Sequence, residues 1–140
     1  MKKTVKIFAL AFLLINCSCK AQMAQTTKDV YLLKTNEQQF INKPLKDLLK
    51  EIKPEIKVGY GTIGEGHQYF SFKFRTLKDW GKNQGNWEDR VTIYVYVKEP
   101  IDWQSKNRPK GKEMIWTKED AAKYGNLTVG LIKVYIQPKE

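Results

Sequence analysis

His67 to Arg75 reads HQYFSFKFR, and within it apolar and polar side chains alternate. Phe70, Phe72 and Phe74 share one parity, while Tyr69, Ser71, Lys73 and Arg75 share the other. A period of two belongs to a β-strand, whose successive side chains point to opposite faces of a sheet. Arg90 to Lys98, RVTIYVYVK, repeats the pattern, with Val91, Ile93, Val95 and Val97 set against Thr92, Tyr94 and Tyr96. Each stretch is expected to bury one face in an antiparallel sheet. A third stretch, NLTVGLIKVYIQ from Asn126 to Gln137, changes phase midway. Leu127 and Val129 lie on one parity, and Ile132, Val134 and Ile136 on the other. Gly130 sits at the slip, which predicts a β-bulge that keeps the apolar set facing inward.

Upstream the period lengthens. Ile41, Leu45, Leu48, Leu49 and Ile52 lie on one face of a helix, predicted to run from Asn42 as cap to just before Pro54. Pro44 is acceptable only in its first turn. A short helical turn over residues 36–41 is expected before it. Residues 23–35 begin polar and turn apolar at Val30 to Leu33, which reads as a tether followed by a strand or a helical turn. Between the last two strands, Glu113 to Trp116 reads as a short extra strand. Thr117-Lys118-Glu119-Asp120 has the spacing of a capping box, opening a helix over residues 118–124 that Gly125 stops. The expectation is an α+β domain with three to five antiparallel strands and one main helix packed on one face. Residues 1–21 read as a leader, 22–35 as tether and first short element, and 36–140 as the domain.

The leader is MKKTVKIFALAFLLINCSCKA. Lys2, Lys3 and Lys6 precede an apolar run from Ile7 to Ile15, and small polar residues follow, as in a secretory signal. Its core is too short to remain as a spanning helix, and no later stretch is long enough. Three cleavage points compete: Cys17 with Leu14 at −3, Cys19 with Ser18 at −1, or ordinary cleavage after Ala21. The string CKAQ after a short apolar core resembles the leaders of small exported proteins and lipoproteins of the Bacteroidota. That resemblance implies a Gram-negative periplasmic protein, or one tethered to a membrane through lipid on Cys19 or Cys17. Both cysteines fall in this stretch, so a disulfide-free domain is expected.

The chain carries a formal charge of +10. Counted from Lys20 on, 22 basic side chains face 15 acidic ones. Nucleic acid is the usual partner of such a balance, but export points instead to an envelope protein, a glycan or an anionic membrane surface.

Chemistry is sparsely marked. Val58 to His67, VGYGTIGEGH, contains GxGxxG, but a strand rather than a helix follows it. The context a dinucleotide site needs is therefore missing. The glycines read as a chain reversal between strands. The chain has one histidine, so imidazole supplies at most one metal ligand, and no cofactor motif is present. Trp80 and Trp87 bracket one polar loop. Trp103 opens another that carries Lys106, Arg108, Lys110 and Lys112. Indoles beside cations suit an interface hot spot with a cationic rim; the plainer alternative is that each indole folds back to cap the core.

The leading expectation is a non-enzymatic envelope protein that binds a partner or an anionic surface through these two loops. One alternative is a small enzyme acting on glycans with Glu65 or His67 and an acid from Glu88 or Asp89. A third is an inhibitor or immunity-type protein using the same loops.

Overall fold

In the computed structural model, which describes residues 21–139, the alternating stretches become neighbours in one antiparallel sheet. Its strands β1 (Val58–Gly64), β2 (His67–Lys73), β3 (Val91–Val97) and β4 (Val129–Ile136) lie in chain order. Four short α-helices accompany them: α1 (Tyr31–Thr35), α2 (Leu45–Leu49), α3 (Leu77–Gly81) and α4 (Lys118–Tyr124). The domain is α+β, with the strand count inside the expected range. Cys17, Cys19 and nearly all of the leader lie outside the described residues. No helix among the described residues is long and apolar enough to cross a membrane.

The inward parity is as expected. Phe70, Phe72, Ile93, Val95 and Ile132 are fully buried, together with Leu33 of α1 and Leu45 and Leu48 of α2. Tyr96 pairs with Leu131 but Val97 with Val129, which leaves Gly130 as the extra residue of a bulge. Val129 and Ile132, three positions apart, both reach the core for that reason. The expectation of a wet second face needs correcting. Ser71, Arg75, Arg90 and Thr92 point away from the Phe side and are nonetheless buried. The cause is α3 and the loop after it, which fold across that end of the sheet: Trp80 lies over Lys73 and Arg90.

The main helix is shorter than its apolar pattern. Asn42 adopts φ 64°, Pro44 is extended and caps α2, and the helix has ended by Lys50. Residues 42–45 instead exchange hydrogen bonds with the approach to β4: Asn42 N donates to Val129 O, Val129 N to Lys43 O, and Leu45 N to Leu127 O. The residue before a proline disfavours helical geometry, so this pairing wins over an early helix start. At the other end, Ala24 N donates to Glu51 O and Lys53 N to Ala24 O, so the N-terminal segment takes up the chain leaving α2. Val30 to Leu33 is helical, the second of the two options, and a 3₁₀ turn over Glu37–Gln39 precedes α2 as expected.

Val58 to Gly64 is itself strand β1. Of its glycines and Gly66, only Gly66, in the hairpin turn, has a positive φ, at 77°. Gly59 and Gly61 serve close approach instead. A Cβ on Gly59 would sit 2.7 Å from Trp116 Cβ, and one on Gly61 2.7 Å from Ile101 Cγ2 and 3.0 Å from Trp103 Cβ. Two bare positions in β1 thus seat the tryptophan layer. Glu113 to Trp116 forms no extra strand. It is irregular, joined to β1 through Gly59 N donating to Met114 O at 2.9 Å.

Candidate functional site

The loop from Ile101 to Lys112 is pinned at its middle. Trp103 is only 8% exposed and lies parallel to Trp116, with ring centroids 6.3 Å apart. The Arg108 guanidinium sits 3.7 Å from the Trp103 centroid, pairs with Asp120 and donates to Ile115 O at 3.0 Å. Asp120 is placed by the capping box that the sequence foretold: Thr117 N and Oγ1 each donate to its Oδ2 at 2.9 Å. Trp103 and Arg108 therefore hold the loop to the core. Lys106, Lys110 and Lys112 are exposed, with no ion pair within 4.0 Å among the described residues. Beside this loop Lys123 pairs with Asp102 at 2.9 Å. Its hydrogen bond holds the Asp102 carboxyl below the usual carboxylate range, while burial raises the Tyr124 phenol.

The second loop is fixed by caps at both ends. Thr76 Oγ1 accepts from Asp79 N at the start of α3, and Asn86 Oδ1 accepts from Glu88 N before a 3₁₀ turn over Trp87–Asp89. Trp80 and Trp87 are half-buried and already occupied. Lys73 Nζ lies 4.7 Å and Arg90 Cζ 5.2 Å from the Trp80 centroid, and Arg90 Cζ lies 4.8 Å from that of Trp87. Both indoles cover cations rather than face solvent.

The two loops do converge, at residues the sequence reading passed over. The start of α3 and the segment Gly111–Ile115 flank a cleft of about 480 Å³ beside the first residues of β1. Val58, Leu77, Met114 and Ile115 supply its apolar wall. Leu77, Met114 and Ile115 are 51%, 37% and 40% exposed, an unusual concentration of wet aliphatic surface. Its polar rim holds two lysines and one acid: Lys57, which also pairs with Glu55 at 2.6 Å, Lys78, and Glu113, whose carboxylate accepts from Gly111 N at 3.0 Å; Lys110 and Lys112 flank the lining Gly111 in the chain. The signal that could have found it is modest: Leu77, Met114 and Ile115 are apolar residues stranded in otherwise polar loops.

The second face of the sheet carries Tyr60, Tyr69, Tyr94, Tyr96 and Tyr135. Tyr69 packs 5.7 Å from Tyr94 and 5.0 Å from Tyr96. Burial and these neighbouring phenols push the Tyr94 hydroxyl up.

The carboxylates and histidine proposed for catalysis do not meet. Glu65 and His67 are exposed at the β1–β2 hairpin. Glu88 and Asp89 precede β3, which runs antiparallel to β2 with Lys73 opposite Thr92. The two groups thus sit at opposite ends of the strands, roughly 25 Å apart at about 3.3 Å per residue. Glu88 is held by Lys28 at 2.7 Å, and Asp89 accepts from Thr27 Oγ1 at 2.9 Å. Among the described residues no three His, Cys, Asp or Glu side chains gather where they could hold a metal ion. Comparison with protein-family models, curated proteins and solved structures finds no match to this chain.

Proposed function

We propose that the protein is a non-enzymatic binding domain of the cell envelope whose two loops take an anionic amphiphile. The aliphatic part enters the cleft between α3 and Gly111–Ile115, and its acidic head meets the lysine rim. The single observation that supports this reading is the cleft itself. It lies within the size range of small-ligand sites, apolar inside, with two lysines, Lys57 and Lys78, against one acid, Glu113, in its lining. Burial of each methylene contributes about 0.8 kcal/mol, so a medium-length chain supplies ample affinity, and the lysines supply orientation. Of the basic residues in the 103–112 loop, Lys110 and Lys112 flank the lining Gly111 and have no ion pair among the described residues, whereas Arg108 is held by Asp120.

Isothermal titration of the mature domain with an alkyl carboxylate and with the alcohol of equal length tests it. Saturable binding that favours the carboxylate, with the preference shrinking as salt rises, is the expected result. Equal binding of the two, or none, refutes the reading.

A further inference from the structure

The buried end of the second sheet face holds an unbalanced charge. The register that sets Lys73 opposite Thr92, carried two residues further along each strand, brings Arg75 and Arg90 to the same end. Both arginines are only 4% exposed. Arg90 Nη1 donates to Gln137 Oε1 at 3.0 Å, but Arg90 Nε and Nη2 and both terminal nitrogens of Arg75 are buried without a hydrogen-bond partner among the described residues. No carboxylate lies within 4.0 Å of either guanidinium among the described residues. The acids nearest in sequence are engaged elsewhere: Asp79 with Thr76, Glu88 with Lys28, and Asp89 with Thr27. Lys73 joins the same side, bound only to Thr92 Oγ1, at 2.8 Å.

Buried charges are normally paired, since desolvation without a counter-charge is costly. For Lys73 and Arg90 the faces of Trp80 and Trp87 offset part of that cost through cation–π contact. They leave the in-plane N–H groups unmet, and those groups are the ones that bind oxyanions in bidentate fashion. The loop that covers Arg75 is exposed throughout residues 81–86 and bends through Asn83 and Gly85, both at positive φ. A side chain at position 85 would overlap the Arg75 guanidinium, so the cover lies directly against it.

We propose that Arg75, covered by the loop at Gly85, and Arg90, roofed by Trp80 and Trp87, form a binding site for a tetrahedral oxyanion of the phosphate or sulfate class. Arg75, Arg90 and Trp80 do not line the apolar cleft, so this site stands whatever the cleft binds. The anion enters by displacement of the 81–86 loop and supplies the acceptors that the guanidiniums lack. Burial lowers the Lys73 pKa in the anion-free protein, and a neighbouring anion would reverse that shift.

The test is thermal unfolding and intrinsic fluorescence of the mature domain in sodium phosphate, sodium sulfate and sodium chloride at matched ionic strength. Phosphate or sulfate should raise Tm saturably, with a fluorescence change of the same midpoint, and chloride should do neither. Arg75→Met and Arg90→Met should each weaken the midpoint at least tenfold, and Arg75→Lys should weaken it as well, because an ammonium lacks the planar fork. Should a methionine variant not fold, amide and arginine Nε–H spectra of the wild type decide. Phosphate-dependent shifts confined to Arg75, Gly85 and Arg90 uphold the site, and shifts only elsewhere overturn it. Equal Tm gains in all three salts, or an undiminished response in the folded variants, also overturn it. Phosphatidylglycerol vesicles separate the sources. Vesicle binding that free phosphate displaces assigns the site to a lipid head group, and saturable binding of free phosphate alone assigns it to the small ion.

Discussion

At the scale of single residues, the glycines of β1 show how a motif can be present for an unrelated reason. GxGxxG in VGYGTIGEGH matches a phosphate loop, yet Gly59 and Gly61 exist to let Trp116, Ile101 and Trp103 lie flat on the strand. Gly61→Ala and Gly59→Ala should therefore each cost about 1–3 kcal/mol in urea unfolding, the usual range for overpacking a core. Gly64→Ala, whose Cβ would meet nothing closer than 3.7 Å, should cost little beyond a few tenths of a kcal/mol. Arg108 illustrates the same point for charge. It reads as one cation in a basic loop, but it neutralises the buried Asp120 and lies on Trp103. Arg108→Met should cost about 3 kcal/mol, because Asp120 is left buried and unpaired. Lys106→Met should be near neutral in the same unfolding assay, since that lysine has no ion pair to lose among the described residues. Gly130 and the Thr117–Asp120 capping box were legible because their meaning is local. The meanings of Gly61 and Arg108 depend on what lies above them, which spacing does not encode.

At the scale of elements, strand parity proved more legible than helix length. Leu45, Leu48 and Ile52 are buried as their spacing implied, while the helical conformation stops at Leu49 because residues 42–45 and 51–53 pair with distant backbone. Long-range hydrogen bonds of that kind override a periodic pattern without altering which side chains are apolar. The β3–β4 connection has its own clasp. Thr128 donates from both its N–H and its hydroxyl to the Glu99 carboxylate, which holds that group below the usual carboxylate range. A depressed folded-state pKa stabilises fully above the unfolded value and fades as pH falls through the folded one. Urea midpoints should thus fall on acidification below about pH 4, and Glu99→Gln should flatten that dependence while lowering the midpoint at pH 7. An unchanged acid slope in Glu99→Gln would assign the acid sensitivity to other carboxylates.

At the scale of the whole molecule, net positive charge was plain from composition, but its placement was not. Part of it is structural: Arg108 serves Asp120, Arg90 and Lys73 are roofed by indoles, and Arg75 is buried against Gly85. Lys110 and Lys112 flank Gly111, which lines a cleft that no sequence period announced, since Leu77, Met114 and Ile115 come together only through the fold. Replacing Lys78, Lys110 and Lys112 by Gln should weaken binding of an alkyl carboxylate several-fold at low salt and little at high salt, as screened surface charges do. Their removal should leave Tm within a degree or two.

Binding in this cleft can be read residue by residue. The most direct measurement is an amide chemical-shift titration of the protein with an alkyl carboxylate, run beside Leu77→Asp. Shifts confined to Val58, Leu77, Met114, Ile115 and their neighbours, and abolished in the variant, are the predicted result. Shifts centred on the hairpin at Glu65 and His67 or on the tyrosine face, or shifts that persist unchanged in Leu77→Asp, would contradict it.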